Sequence, residues 1–430
     1  MGNSKMKQDR FRNTLDPAVG YARGTHITNS LDEFRRRTHG LDIVRNAFRS
    51  GGRENLYNFT GHRRDFLAQA SDLENDLAEE WIGTPVIEER FIEFAQIHFG
   101  ASKDAGVALF NRSAAGIVST LLAMASKEDR ILAIAPKGRT HPSIRRGAGL
   151  AGAELVEIDP DDGLELSHFN DTVMTILTRV TSELDILSPK QVQAVIAMAK
   201  EAGSTVFVDD AYGTRVGPAL LEQKKTLALG VDFGITSCDK AGLGGPRAGL
   251  MVGRTDLVDR AVARASELGL EARGPLILGV LRSLELYKPE TLLGDSMVAR
   301  EIARGLKDRF GPEYVHDLCM GPTISEEDVM TIALEGKNES AGDYNLVPAE
   351  ASCILGMVLL EDYGIITSNV AERPGARVSL RLRPTAIEVE RFGGPARVVD
   401  AVDSAFGKLR MLLGDDQAVK TKIFGTSTSI

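Results

Sequence analysis

The spacing of apolar positions changes along this chain, and the changes divide it. From Asp65 to Phe99 the spacing is helical (Leu67, Leu73, Leu77, Trp81, then Ile87, Phe91, Phe94), in two pieces broken at Gly83-Thr-Pro85. Between Gly106 and Gly253 short apolar runs take over. Val107–Phe110, Arg130–Ala135, Leu155–Ile158, Met174–Leu177, Thr205–Val208 and Phe233–Thr236 read as strands, with Ala114–Ala125 and Lys190–Ala202 as helices among them. Such alternation predicts an α/β fold, a mostly parallel sheet sandwiched by helices. Arg247–Gly253 reads as a further strand, and so short a connection makes it antiparallel to its neighbour. Helical patterns return at Leu257–Leu268, Leu276–Leu286 and Met297–Phe310. A second body follows, with an amphipathic helix over Ala349–Tyr363, strand-like Gly364–Ser368 and Arg377–Arg383, and a closing helix Val398–Leu412. The expected organisation is an N-terminal arm over 1–64, a large α/β domain over 65–285, a smaller α+β domain over 286–415 and a polar, mobile tail over 416–430.

Composition excludes some classes. With 430 residues, 43% of them hydrophobic, the chain can bury a large core. No apolar run reaches 18 residues and the first thirty are polar and charged, so the expectation is a cytoplasmic protein with neither membrane span nor secretory signal. Cys238, Cys319 and Cys353 are odd in number and lack metal-type spacing, which predicts neither a disulfide framework nor a metal site. Residues 1–64 hold 13 Lys and Arg against 6 Asp and Glu, a charge of +7; with the whole chain at −9, the remainder carries −16. An acidic body makes nucleic acid an unexpected partner. The basic front suits docking on a partner subunit or, as the alternative, a tRNA.

In sheets of this kind ligands sit outside the carboxyl ends of the strands. After Val107–Phe110 comes Asn111-Arg-Ser-Ala-Ala-Gly116, where small residues open a helix and let backbone N–H groups and the Ser113 hydroxyl approach an anion; the same pattern serves as a plain N-cap. After Arg130–Ala135 comes His141, whose ring can lie on a planar ligand or make a structural hydrogen bond. Gly147-Ala-Gly-Leu-Ala-Gly152 matches G-x-G-x-x-G, but it leads into a strand rather than following one, so it is no dinucleotide site. After Thr205–Val208 comes Asp209-Asp-Ala-Tyr-Gly213. A carboxylate delivered to the edge of an apolar strand needs a cationic partner, and Asp209 is favoured over Asp210 because it is nearest the strand and stands two before the small Ala211. After Phe233–Thr236 come Ser237 and Lys240, in a stretch to Gly249 whose glycines keep large side chains away from the lysine. An amine nucleophile in such a site suits an aldehyde cofactor, pyridoxal 5′-phosphate held as a Schiff base; a solvated lysine in a glycine-rich loop is the alternative. In Arg377-Val-Ser-Leu-Arg-Leu-Arg-Pro384, alternation sends Arg381 and Arg383 the same way, toward a substrate carboxylate or toward solvent.

The order of these features, an anion cup, a flat His, an Asp at a strand end and a Lys 31 positions later, resembles the fold-type I pyridoxal phosphate enzymes, the aspartate aminotransferase superfamily. The segment Ser237-Cys-Asp-Lys-Ala-Gly-Leu-Gly-Gly-Pro-Arg-Ala-Gly249 is similar to that of bacterial selenocysteine synthase (L-seryl-tRNA selenium transferase) and its relatives, with Arg247 where that pattern has Gln. Tyr57-Asn-Phe-Thr-Gly61 resembles a stretch near the front of the same group. The resemblance implies Lys240 as the Schiff-base lysine, Asp209 as partner of the pyridine nitrogen and His141 as the stacking residue. It places Arg112, Ser113, Ala114, Ala211 and Ser237 around the cofactor and Arg381 or Arg383 on the substrate carboxylate. It further implies at least a homodimer, with Tyr57–Arg64 reaching across. The reaction implied is capture of a small amino acid or amino-sugar acid as an external aldimine, Cα proton abstraction, and β-elimination or replacement. Transamination, decarboxylation, aldol cleavage and an aminoacyl-tRNA-dependent transfer use the same residues.

Overall fold

In the computed structural model, which describes residues 7–16, 19–335, 345–372 and 378–426, a seven-stranded sheet organises the segment His62–Leu293. Its strands are β1 (Gly106–Phe110), β2 (Arg130–Ile134), β3 (Glu154–Ile158), β4 (Thr172–Leu177), β5 (Thr205–Asp209), β6 (Phe233–Ser237) and β7 (Gly249–Gly253). They lie in the order β1-β7-β6-β5-β4-β2-β3. Neighbours from β3 through β6 are parallel, and β7 runs antiparallel to both β1 and β6. This is the expected α/β architecture, and each apolar run marks its strand to within two residues.

Alternation along the strands fills both faces, as in sheets covered on two sides. Ile131 and Ala133 join one core with Ile117 and Leu121 of the helix Ser113–Met124, Ile144 of the helix Pro142–Ala151 and Val258 of the helix Thr255–Glu267. Leu132 and Ile134 join the opposite core with Val192 and Val195 of the helix Pro189–Glu201. A third cluster sets Leu109, Leu250 and Val252 against the helices Gly83–Phe99 and Gly274–Glu285. The G-x-G-x-x-G match falls in the last turns of Pro142–Ala151, with Gly152 as its left-handed cap (φ 76°) before β3, a helix ending rather than a beginning.

The other described residues form a second unit, Met1–Gly61 with Gly294–Ile430. Its centre is the helix Pro348–Tyr363, buried at every position through Leu360. The amphipathic reading of this segment is corrected: the helices Ser30–Gly51, Glu326–Leu334, Pro395–Leu412 and Asp416–Phe424 all pack on it, and only its last turn, at Glu361 and Asp362, is exposed. The basic front segment thus contributes a packed helix. The tail begins as helix Asp416–Phe424, with Val419 and Ile423 buried in the core; 427–430 lie outside the described residues. Gly321–Ile324 pairs antiparallel with His316–Leu318 and with Leu380–Arg381, so the strand expected over 377–383 is two residues long, and Arg377 lies outside the described residues. Tyr57–Asn58 pairs parallel with Ile365–Ile366. Among the described residues no helix is long and apolar enough to cross a membrane.

Candidate active site

Three strand ends meet in one row of the sheet: Gly249 pairs with Phe110 on one side and with Ser237 on the other. Gly249 is required there because a Cβ would lie 2.5 Å from the Ser113 backbone. The strand therefore passes against the first residue of the helix Ser113–Met124, and the Ser113 and Ser237 hydroxyls come within 2.6 Å. Two hydroxyls and a helix N-terminus in one place are the groups that can receive an anion.

Ser113 and Ser237 also line a cavity to which five of the strands contribute. Arg112, Ser113 and Ala114 follow β1, His141 follows β2, Asp209 and Ala211 end β5, Ser237, Asp239 and Lys240 end β6, and Arg247 precedes β7. All eight cofactor-site positions expected from the sequence line it. Arg381 and Arg383 belong to the second unit; both are buried, so the solvent-facing alternative for them does not hold.

The two adjacent aspartates have different surroundings. Asp210 is fully buried and tied to Arg179, whose Nε donates to Oδ1 at 3.1 Å and whose Nη2 donates to Oδ2; Oδ2 also accepts from Thr226 (2.6 Å) and Thr214 (3.1 Å). Asp209 is nearly as buried, at 4% exposure, but lines the cavity and receives a backbone N–H from Ala211. Burial pushes its carboxyl up to about 6 against the opposing pull of Lys240, with the Asp210 charge adding to the rise.

Around Lys240 the chain is held from several sides. His62 bridges it through the backbone, and Arg64 Nε donates to Asp239 Oδ2 at 2.9 Å. Gly245, at φ 111°, lets residues 63–65 pass within 3.1 Å of where its Cβ would be, and the Asp65 N–H donates to Gly244 O at 3.0 Å. The Lys240 Nζ stands 4.8 Å from the centre of the Tyr212 ring, whose hydroxyl lies 3.2 Å from His62 Nε2. Burial works to raise the Asp239 carboxyl, but the charges of Lys240, His62 and Arg64 overcome it and hold the group below its usual range. Burial pushes the Cys238 thiol up to about 12, so it stays protonated and is no competing nucleophile. His141 caps the helix Pro142–Ala151: its Nδ1 accepts the Ser143 N–H at 3.2 Å and lies 2.6 Å from the Ser143 hydroxyl. This fixes the ring and, when the ring is neutral, leaves the proton on Nε2.

Sequence reasoning missed Asp239, Arg247 and Tyr212 as parts of the site, although all three stand in the stretches singled out. Their polar side chains are ordinary in loops, and only the closing of the loop against 62–65 and β5 brings them inward.

The aminotransferase class I and II family profile matches residues 69–270. Among solved structures, a single mutant of Thermus thermophilus aspartate aminotransferase superposes with a TM-score of 0.56 at 14% identity, over 87% of this chain and 96% of that one. A probable N-succinyldiaminopimelate aminotransferase from the same organism does so with 0.53 at 16%, over 84% and 100%. These likenesses show the fold, that of the fold-type I superfamily. In sequence the chain is 30% identical over 399 residues, 93% of its length and 100% of the relative's, to a UPF0425 pyridoxal phosphate-dependent protein of Methanothermobacter thermautotrophicus. It is 30% identical over 380 residues, 88% and 95%, to another from Methanosphaera stadtmanae. The chain belongs to the UPF0425 family of pyridoxal phosphate-dependent proteins.

Proposed function

We propose that this pyridoxal phosphate-dependent enzyme takes a small amino acid or amino-sugar acid, removes its Cα proton through Lys240, and eliminates or replaces a group on Cβ. The observation that carries the reading is the pair at the end of β5. Asp210 is saturated by Arg179, Thr214 and Thr226, whereas Asp209 brings a buried carboxylate to the cavity with a backbone N–H as its hydrogen-bond donor. A carboxylate whose proton affinity is raised by burial fits a protonated pyridine nitrogen, since that cation relieves the burial. The Ser113–Ser237 pair at a helix start, with Arg112 and Arg247 on the same cavity, fits a phosphate. Ala211 leaves room for a ring, and His141, oriented by Ser143, is the residue proposed to cover a face of it.

When bound, pyridoxal 5′-phosphate supplies an aldehyde for the amine of Lys240 and then of the substrate, and a ring that draws electrons from Cα. The residues do the rest. Lys240, once displaced, accepts the Cα proton and can return it to the leaving group. Asp209 keeps the ring nitrogen protonated. Asp239, held ionised, keeps negative charge beside the lysine and anchors Arg64. From the resemblance alone, Arg381 or Arg383 is proposed to hold the substrate carboxylate.

Elimination or replacement is favoured by the likeness of residues 237–249 to the selenocysteine synthase segment, which is analogy of sequence. Transamination is the second reading, favoured by the class I and II match over 69–270. The test is a panel of amino acids incubated in deuterium oxide with the holoenzyme. Deuterium entering Cα, lost in Lys240→Ala, supports the base assignment, and no exchange with any of them removes it. Release of ammonia then separates elimination from transamination, which leaves the amine on the cofactor.

A further inference from the structure

The short helix Gly213–Leu220 starts right after the Asp209–Tyr212 segment and carries an arginine inward. Arg215 is 1% exposed. Its guanidinium makes five hydrogen bonds, every one to a neutral partner. Nε donates to Ala241 O at 3.0 Å. Nη1 donates to Thr236 Oγ1 and to His98 Nε2, each at 3.1 Å, and Nη2 donates to Ser237 O at 2.8 Å and Ala211 O at 3.1 Å. His98 suits its part, because burial first and the Arg215 charge second hold it well below its usual range, so it is neutral and accepts. Among the described residues Arg215 forms no ion pair; Tyr287, Cys238, Asp210 and Asp239 act on it only at longer range.

A buried cation without a carboxylate is expensive in free energy. Helix and core requirements do not explain it, since an apolar residue would fill the same volume. What sets it apart is where the acceptors lie. Ser237 O and Ala241 O bracket Lys240, three residues before it and one after. Ala211 O is two residues past Asp209, and Thr236 stands in β6 next to its last residue, Ser237. Ala241 has φ 48°, a left-handed conformation uncommon for a residue with a Cβ, and its carbonyl is the one held by Nε. One planar group with a fixed fan of donors thus ties the backbone carrying the lysine to the backbone carrying the aspartate, a task that neither the point charge of Lys nor an apolar side chain performs.

We infer that Arg215 is the positioning residue of this site: by clamping the turn Ser237–Ala241 to Ala211 it fixes where the Lys240 amine stands relative to Asp209. The inference rests on the reading of Lys240 as the aldehyde-binding lysine, and the experiment separates the two.

Two binding measurements on cofactor-free full-length protein make the test. One is the rate at which the bond between Lys240 and the cofactor aldehyde forms, followed by absorbance and by borohydride trapping. The other is the affinity for pyridoxine 5′-phosphate, which has the ring and phosphate but no aldehyde. In Arg215→Lys, with folding checked by circular dichroism and a thermal melt, bond formation is expected to slow about 100-fold, the scale of an ångström-level misplacement. Analogue affinity is expected to change only a few-fold. Equal losses in both measurements would mean a merely structural role, and wild-type values in both would equally overturn the inference. Should Arg215→Lys not fold, Thr236→Val removes one acceptor while leaving the guanidinium in place. Slower bond formation at unchanged analogue affinity supports the clamp, and a wild-type rate overturns it. If the wild-type protein itself yields no borohydride-trapped Lys240, the reading of the lysine fails instead.

Discussion

Asp209 and Asp210 share a strand end and a degree of burial, yet only one is neutralised by the protein, and a stability prediction follows. The ordinary carboxyl value is 3.8, and in the folded protein burial takes Asp209 to about 6. Between those values the folded state holds more protons than the unfolded one, so the contribution of Asp209 to stability is full below about pH 4 and is lost as pH rises through 6. Cofactor-free Asp209→Asn lacks this loss. It is expected to be more stable than cofactor-free wild type at pH 7.5 by on the order of 3 kcal/mol, the worth of a two-unit shift, with the gap closing near pH 4 in urea titrations. The same variant should bind pyridoxal 5′-phosphate more weakly and lose Cα exchange. A destabilised variant, or a gap independent of pH, would show that Asp209 is satisfied within the protein. At the other end of the cavity, Ser113→Ala and Ser237→Ala should each weaken cofactor binding about tenfold, as expected for one hydrogen bond to a charged group, read by equilibrium titration. Sequence logic reached Asp209, Ser113, Ser237 and Lys240 because each follows a recognisable strand. It could not reach Arg215, since an arginine in Gly213-Thr-Arg-Val reads as surface and its burial depends on carbonyls from residues 211, 237 and 241.

Elements were the most legible level. The strands of the sheet are apolar on both faces, so runs such as Thr205–Val208 and Phe233–Thr236 announce themselves without any helix context. The antiparallel direction of β7 followed from the length of its connection alone. Less legible were elements whose character depends on what covers them. Pro348–Tyr363 shows polar residues at Glu350 and Ser352, but Glu350 accepts the backbone N–H groups of His26 and Ile27, both at 2.8 Å, and Ser352 Oγ donates to Val378 O, so polar residues are buried with their partners. Contact between elements at the anion site rests on one missing side chain. Gly249→Ala puts a Cβ 2.5 Å from backbone atoms that begin a helix and cannot swing aside. The expected result is a loss of about 1–3 kcal/mol in stability and a cofactor affinity reduced well beyond either serine variant, because the cup itself is pushed open. Ordinary affinity in this variant would place the phosphate elsewhere.

At the scale of the whole molecule the sequence suggested an arm and two bodies, but not that the basic front groups with the C-terminal part in one unit, because a pairing such as that of Tyr57 with Ile365 leaves no local trace. Arg381 and Arg383 are buried, and if one of them binds the substrate carboxylate, Arg381→Lys or Arg383→Lys should raise KM with little change in cofactor affinity; a change in neither parameter for both variants retires the assignment. A homodimer, expected from the resemblance, would sediment at twice 46.4 kDa, and a monomer at all concentrations would contradict it. The direction of β7 also bears on how this protein can change. The lysine loop leaves the sheet at Ser237 and re-enters it at Gly249, two residues paired across adjacent strands. Its ends are therefore stapled together like the feet of a hairpin, at the edge where the cavity lies. A change in the length of residues 238–248 would leave that pairing intact and would instead break the bonds that hold the loop, from Arg64 to Asp239, from the Asp65 N–H to Gly244 O and from Arg215 to Ala241 O. Lys240 thus stands on a segment whose two ends are fixed by the sheet and whose middle is fixed by side chains from outside it.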